Sequence, residues 1–332
     1  MQIQQNTAQG QEAKPLVTFI ITYFEQPTVM LTKCIESVLA LSLRPYEREV
    51  IVVDDGSSNS PLADLKRFEN DIVYLRKSNG GVSTARNFGL RAAGGSYIQF
   101  IDGDDMLLTN NYEHCLDIIR YGKADAVLFD FSLQPSAPTM AYEDSEPQTG
   151  SELMRSQNIH GSACTCLFSR NILGQLSFTT GITYGEDEEF TPQLLLRADR
   201  VVHTTAQAYF YRRHKESAIA NTSSEGIEQR LNDNHRVIQS LNRTADTLPP
   251  EERVALQRRV AQLTMDYIYN IIMLTHSRQQ LDQRLAELRS EGLFPLPNRN
   301  YTTKYTWFRR LTNSRLGLSI LLRTLPLTRK ER

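Results

Sequence analysis

The sequence predicts an α/β chain built on a mostly parallel, Rossmann-like sheet flanked by helices, with a C-terminal helical region. Three observations lead there. β-branched apolar runs alternate with helically spaced segments through the first hundred residues. Two of those runs end in clustered carboxylates. Residues 225–290 turn to Leu, Arg, Gln and Glu with helical spacing, as in Val260, Leu263, Tyr267, Ile271 and Leu274.

Val17-Thr18-Phe19-Ile20-Ile21-Thr22 reads as a buried strand. Residues 28–40 place Leu31, Cys34, Ile35, Val38 and Leu39 on one helical face. Glu49-Val50-Ile51-Val52-Val53 is a second buried strand and ends in Asp54-Asp55-Gly56-Ser57-Ser58. A short strand over 72–75 and a helix from about Ser83 to Ala93 follow. Tyr97-Ile98-Gln99-Phe100-Ile101 is the next strand and runs into Asp102-Gly103-Asp104-Asp105. Alternating strands and helices imply parallel strands with crossover helices. Both acid clusters then sit at C-terminal strand ends, where open α/β sheets bind ligands. Like charges so close are costly unless a cation shares them. Carboxylate oxygens suit Mg2+ or Mn2+, which bind through one or two carboxylates plus substrate phosphates. A polar turn is the competing reading of either cluster alone; two clusters at one edge weigh against it.

Six motifs then follow in order across residues 15–220. They are Ile20-Ile21-Thr22-Tyr23-Phe24-Glu25, Asp54-Asp55-Gly56-Ser57 and the run from Asn79 through Gly80-Gly81-Val82-Ser83-Thr84-Ala85-Arg86-Asn87-Phe88 to Gly89. Asp102-Gly103-Asp104-Asp105, Gly185-Glu186-Asp187-Glu188-Glu189-Phe190 and the segment Tyr209–Ser217 complete the set. In sequence and spacing the chain resembles the family 2 glycosyltransferases, inverting nucleotide-sugar-dependent enzymes of the GT-A fold. It departs from the pattern in having Thr22-Tyr23-Phe24-Glu25 where the family often has Pro-x-Tyr-Asn.

The resemblance implies a role for each matched residue. Thr22 and Phe24 would line the nucleobase pocket, a flat ring being a fitting partner for a base. Asp55 would accept a hydrogen bond from the base imide, which favours a UDP-linked donor. Asn79 and Arg86 would lie where the loop enters a helix and passes the nucleotide, backbone N–H groups there suiting an anion; a structural salt bridge is the competing reading of Arg86. Asp102 would hold the ribose and Asp104 the metal, Mn2+ or Mg2+, with Asp105 supporting its neighbours. Asp187 would be the general base that takes the acceptor's proton, a role worth about 10²–10⁴-fold in rate. Glu186 would hydrogen-bond the sugar or the acceptor. An acidic helix start is the competing reading of that pair. His214 would touch the metal or the diphosphate, with Arg212, Arg213 and Lys215 as further cations.

Composition fits this reading. The 332 residues, 40% hydrophobic and 23% charged, give room for one large domain and a smaller one. The expected organisation is a disordered, Gln-rich tail over 1–14, a catalytic domain over 15–220, a helical region over 221–298 and a basic amphipathic tail over 299–332. No stretch approaches 18 apolar residues, the N-terminus lacks the core of a signal peptide, and the four cysteines have no zinc spacing. Reduced thiols in the cytoplasm are the simplest expectation. Residues 299–332 hold nine Lys/Arg and one acid among Trp307, Phe308 and several leucines, in a chain of net charge −1. That mixture suits the anionic inner face of the cytoplasmic membrane; a helix packed on the catalytic domain is the alternative. The expected partners are a nucleotide-sugar donor and a glycan or lipid-linked acceptor in polysaccharide synthesis, with no nucleic acid. A sugar nucleotidyltransferase is the enzymatic alternative, disfavoured because the loop after the first strand, Thr22–Pro27, has neither glycine nor a basic residue. A non-catalytic nucleotide-sugar-binding subunit is the other alternative, disfavoured by Asp187.

Overall fold

The computed structural model describes residues 14–136, 142–213 and 222–328. The chain opens with β1 (Val17–Tyr23), α1 (Thr28–Leu39), β2 (Arg48–Asp54), a one-turn α2 (Leu62–Leu65), β3 (Val73–Arg76), α3 (Val82–Ala92) and β4 (Tyr97–Asp102). It continues with β5 (Met106–Leu107), α4 (Thr109–Gly122), β6 (Ala126–Ser132), α5 (Gly150–Ser156), β7 (Cys166–Ser169), α6 (Glu186–Leu195) and β8 (Val201–Phe210). Five helices close it: α7 (Ser224–Thr247), α8 (Pro250–Thr275), α9 (Arg278–Ser290), α10 (Thr303–Thr312) and α11 (Arg315–Thr328).

The strands form one sheet in the order β3-β2-β1-β4-β7-β6-β8-β5. β1 pairs in parallel with both β2 and β4, and β2 with β3. β7 is antiparallel to β4 and to β6, so β6 and its parallel neighbour β8 again run with β1. Every residue of β1 is buried, which explains its unbroken apolar run: both faces of this strand are covered. Register does the rest. Tyr23 lies opposite Asp54, and Thr22 opposite Asp102. The three strands that end in polar motifs therefore stop level with one another, on either side of β1, where the strand order reverses.

Local structure departs from the simple sequence pattern at three places. Cys164 and Cys166, spaced as alternate residues of a strand, do not share one: Ala163–Thr165 is a 3-10 turn, started by the Ser162 hydroxyl accepting from the Cys164 N–H, and β7 begins only at Cys166. All four cysteines are nonetheless buried and unpaired. The helical segment before Pro295 ends at Ser290, because Gly292 turns left-handed (φ 73°) and stops it before either proline is reached. The short third strand runs Val73–Arg76, one residue later than its apolar pattern.

Two hydrophobic clusters form. The first fills the space around the sheet, from Phe19 and Phe100 to Phe190 and Tyr209. The second joins α7, α8 and α9 through Leu231, Leu241, Tyr267, Ile271 and Leu285, and it includes Tyr305, Phe308, Leu318 and Leu321 from α10 and α11. No described helix is long and apolar enough to cross a membrane.

Close packing explains the glycine that ends the Asn79–Gly89 motif. α3 crosses β1 at Gly89, and a Cβ there would run into the Ile20 side chain. Gly89→Val should lower stability by roughly 1–3 kcal/mol through overpacking, read as a fall in the urea midpoint at unchanged m-value. An unchanged midpoint would mean that this contact is looser than the packing implies.

Candidate active site

The polar edge is built from two clusters. The first surrounds Asp55, which is almost fully buried. Its carboxylate accepts from Lys77 Nζ at 2.5 Å, from the Gly81 N–H at 2.7 Å and the Gly80 N–H at 3.1 Å, and from Asn79 Nδ2 at 3.4 Å. A carboxylate offers about four lone-pair sites, and here loop 77–81 occupies them. Asp55 thus organises the glycine-rich entry into α3, and pairing with a base would require it to release one of these donors. Lys77, which the sequence motifs had not marked, also donates to Thr84 Oγ1 at 2.9 Å. On the neighbouring loop Phe24 is 45% exposed, free to stack on a flat ligand. Glu25, the departure from the usual motif, adopts φ 58° and accepts from the Ser58 N–H at 2.6 Å, so it ties the β1 loop to the Asp54–Ser58 turn.

The second cluster surrounds Arg86, which is 2% exposed. Its Nη2 meets Asp102 Oδ1 at 3.1 Å; its Nη1 meets Glu186 Oε1 at 3.0 Å and also Asp187 Oδ1. Thr22 Oγ1 donates to the same Asp102 oxygen at 3.2 Å, and the Ala163 N–H donates to Asp187 Oδ2 at 3.1 Å. One cation thus serves three carboxylates. Burial raises the Glu186 carboxyl to about 7, with repulsion from Asp187 adding to it and Arg86 opposing it. Asp187 is raised for the same first reason. Gly185 sets up this arrangement: it takes φ 90° at the cap of α6 and turns the chain so that four acids fill the first helical turn. The competing readings of Arg86 and of Glu186–Asp187 are thus what the geometry shows: a buried salt bridge that holds an acidic helix start in the cleft.

Asp102-Gly103-Asp104-Asp105 closes the edge between the clusters. Asp105 is buried and accepts from Tyr209 Oη and from the Arg212 N–H, both at 2.7 Å, so it clasps the end of β8. Burial, then the charges of Asp102 and Asp104, push it to about 8. The Asp104 carbonyl accepts from Arg212 Nε at 2.7 Å. No group of three or more His, Cys, Asp or Glu side chains is poised to hold a metal among the described residues. The donor set still fits a hard divalent ion of the kind that binds through one or two carboxylates and completes its shell with phosphate and water. His214 and Lys215 lie outside the described residues.

One further contact was not legible in the motifs. Arg259 of α8, 7% exposed, ion-pairs with Glu188 and donates to the Ile159 carbonyl at 3.0 Å. The Glu188 carboxylate lies against Gly161, where a Cβ would collide with it. Arg258 donates to the Arg155 carbonyl and Gln262 to Asn158. α8 therefore clamps the loop that brings Ala163 to Asp187. Pairing across 71 residues leaves no spacing signal in the chain.

Residues 18–174 match the family model for glycosyl transferase family 2. The chain is 24% identical over 218 residues to the minor teichoic acid biosynthesis protein GgaB of Bacillus subtilis, which covers 61% of this chain and 23% of that protein. It spans from about a quarter to under two thirds of the length of three such curated relatives. Among solved structures, residues 1–349 of Staphylococcus aureus TarS align over 95% of this chain and 91% of that one, with a TM-score of 0.63 at 17% identity. The mannosyltransferase PcManGT of Pyrobaculum calidifontis, in complex with GDP-Man and Mn2+, aligns over 96% and 88% with a TM-score of 0.57 at 14% identity. These structural likenesses carry the fold.

Removing the shared cation should be costly. Arg86→Met would leave Asp102, Glu186 and Asp187 facing one another with no counter-charge. The expected loss is roughly 3–5 kcal/mol of unfolding free energy, measured by urea denaturation at neutral pH, with part of it recovered at acid pH where the carboxyls protonate. A neutral effect would show that water screens the cluster.

Proposed function

The chain carries a family 2 glycosyltransferase domain of GT-A fold, matched over residues 18–174; from that premise we propose that it transfers a sugar, with inversion, from a UDP-linked donor to a hydroxyl of a glycan or lipid-linked acceptor. The observation that carries the reading is Asp187. Its two oxygens are oriented by different groups, Arg86 and the Ala163 N–H, on the first turn of a helix at the same sheet edge as the Asp102–Asp105 motif. A carboxylate fixed this way suits a general base. Glu186, held by the same guanidinium, would hydrogen-bond the sugar or the acceptor. Phe24 would stack on the base and Thr22 line its pocket, Asn79 would face the nucleotide from loop 77–81, and Asp102 would hold the ribose.

Asp104 would hold Mn2+ or Mg2+ together with the donor's phosphates, and His214 would complete the set. When bound, the ion supplies charge neutralisation for the departing diphosphate. Arg212 would add positive charge at the same end of β8. Support for the donor class comes from neighbours of the same fold: TarS 1–349 has been solved with UDP-GlcNAc, with a TM-score of 0.55 to this chain, and PcManGT with GDP-Man. Support for a polymer acceptor comes from relatives named for teichoic acid and poly(ribitol-phosphate) chemistry.

Two substitutions and a pH profile test the assignment. Asp187→Asn should bind UDP-sugar within a few-fold of the unaltered chain and lose about 10²–10⁴ in kcat; a large loss of donor affinity with normal turnover would make Asp187 a binding residue instead. Asp104→Asn should make UDP binding, followed by calorimetry, insensitive to Mn2+. Burial raises Glu186 to about 7 and Asp187 in the same direction, so the rate of the unaltered chain should climb as pH rises toward neutrality and level off above it. A rate that falls over the same interval would exclude a carboxylate base.

A further inference from the structure

The outer face of the two C-terminal helices carries chemistry that the transfer reaction leaves unused. α10 buries Tyr305, Phe308 and Thr312, and α11 buries Leu318 and Leu321 in the cluster shared with α8. Their other faces expose Trp307 at 61%, Leu316 at 73% and Ile320 at 45%. Lys304, Arg310, Arg315 and Arg323 are exposed with them. Leu316, Ile320 and Arg323 follow one another at i, i+4 and i+7 along a single line of α11. The Arg310 guanidinium sits 5.8 Å from the centre of the Trp307 ring. Residues 299–328 contain six Lys/Arg and no Asp or Glu, whereas the chain as a whole is net −1. Large apolar side chains interleaved with cations, on a segment otherwise packed into the fold, form a surface with two requirements at once.

We propose that this face of α10 and α11 docks the chain on an anionic lipid bilayer, with both helices lying in the plane of the interface. Charge decides against a second copy of the chain, because a symmetric contact would set the same cations against one another, while the centre of a stable interface is depleted of charge. A nucleic acid would engage the cations but give no reason for exposed Leu316 and Ile320. A bilayer with acidic headgroups satisfies both sets: phosphates pair with the arginines, and the Trp, Leu and Ile side chains enter the headgroup boundary. Length confines the contact to the surface, since the 14 residues of α11 span roughly 21 Å against a hydrocarbon core of about 30 Å. The contact places a membrane surface on the back of α8, the helix that also holds Glu188 through Arg259, and it is independent of which sugar is transferred.

The test uses the intact chain and vesicles, with no turnover involved. Co-sedimentation with vesicles of equimolar phosphatidylcholine and phosphatidylglycerol should show binding that weakens with salt, and vesicles of phosphatidylcholine alone should show little. Arg310→Gln, Arg315→Gln and Arg323→Gln combined should lower the partition coefficient on the order of 100-fold, each cation being worth roughly fivefold. Trp307→Ala, Leu316→Ala and Ile320→Ala combined leave the charge unchanged and should lower it roughly tenfold or more. All six side chains are exposed, so circular dichroism and the melting temperature should match the unaltered chain. Three results would overturn the proposal: no binding of the intact chain to anionic vesicles; binding indifferent to the apolar triple, which would mark a site for polyanions; or a dimer by sedimentation that the apolar triple dissociates without any vesicle binding, which would mark an interface between copies.

Discussion

Arg86 reaches from α3 to carboxylates on β4 and α6 that lie 16, 100 and 101 residues away in the chain. A guanidinium with five donors in a rigid fork is suited to this, since it can meet several oxygens and stays charged when buried. Its carboxylate partners cannot be brought together without it, because each is partly desolvated and each repels the others. The polar sheet edge therefore depends on one buried cation: it fixes where α6 begins relative to β4, and it opposes the rise in proton affinity that burial gives the acidic pair.

The same edge solves a wider problem of crowded acids by giving several of them structural work. Asp54 accepts from the Ser57 N–H at 2.8 Å and from Tyr74 Oη at 2.7 Å, closing the turn after β2 and pushing that phenol up to about 12, burial being the larger cause. Asp55 gathers loop 77–81. Asp105 clasps β8. Asp233 of α7 accepts from the Thr183 and Tyr184 N–H groups and holds the approach to Gly185. Each of these carboxylates is nearly fully buried with its acceptors used. The motif acids thus divide into those that build loops and those, Asp102 and Glu186–Asp187 among them, whose partner is a cation at the cleft.

What could be read from the sequence follows from how local each signal is. β1, β2 and β4 announce themselves as β-branched runs because both of their faces are covered, and their polar ends mark the sheet edge. β5, with two residues, and β7, with four, carry too little pattern to register, so the antiparallel part of the sheet was not foreseen. Asp55, Arg86, Glu186 and Asp187 could be found by motif, but Lys77, and the meeting of Arg86 with the acidic pair, depend on an approach that only the folded sheet dictates. The tail shows a different limit. An amphipathic pattern says that one face is buried, not against what. Here α10 and α11 place Tyr305, Phe308, Leu318 and Leu321 in the cluster of α7, α8 and α9 rather than on the sheet, and leave Trp307, Leu316 and Ile320 exposed, the side on which the proposed membrane contact rests.

α8 links the acidic edge to the C-terminal helices. Arg258, Arg259 and Gln262 on one side hold the carbonyls of Arg155 and Ile159, the Asn158 side chain and the Glu188 carboxylate, and so steady the loop that ends at the Ala163 N–H on Asp187. Two turns further along, Asp266 is exposed, its carboxyl raised by the desolvation that neighbouring atoms impose and lowered by the charges of Lys304 of α10 and of Arg259. The Arg259–Glu188 ion pair joins the acidic motif of α6 to α8, and it fixes position well, because a shift of either partner would leave a poorly solvated charge unpaired. The helical region is thereby tied to the polar sheet edge rather than appended to it. Substitutions at Arg259 should change how Asp187 and Glu188 are held before they change the fold of the sheet.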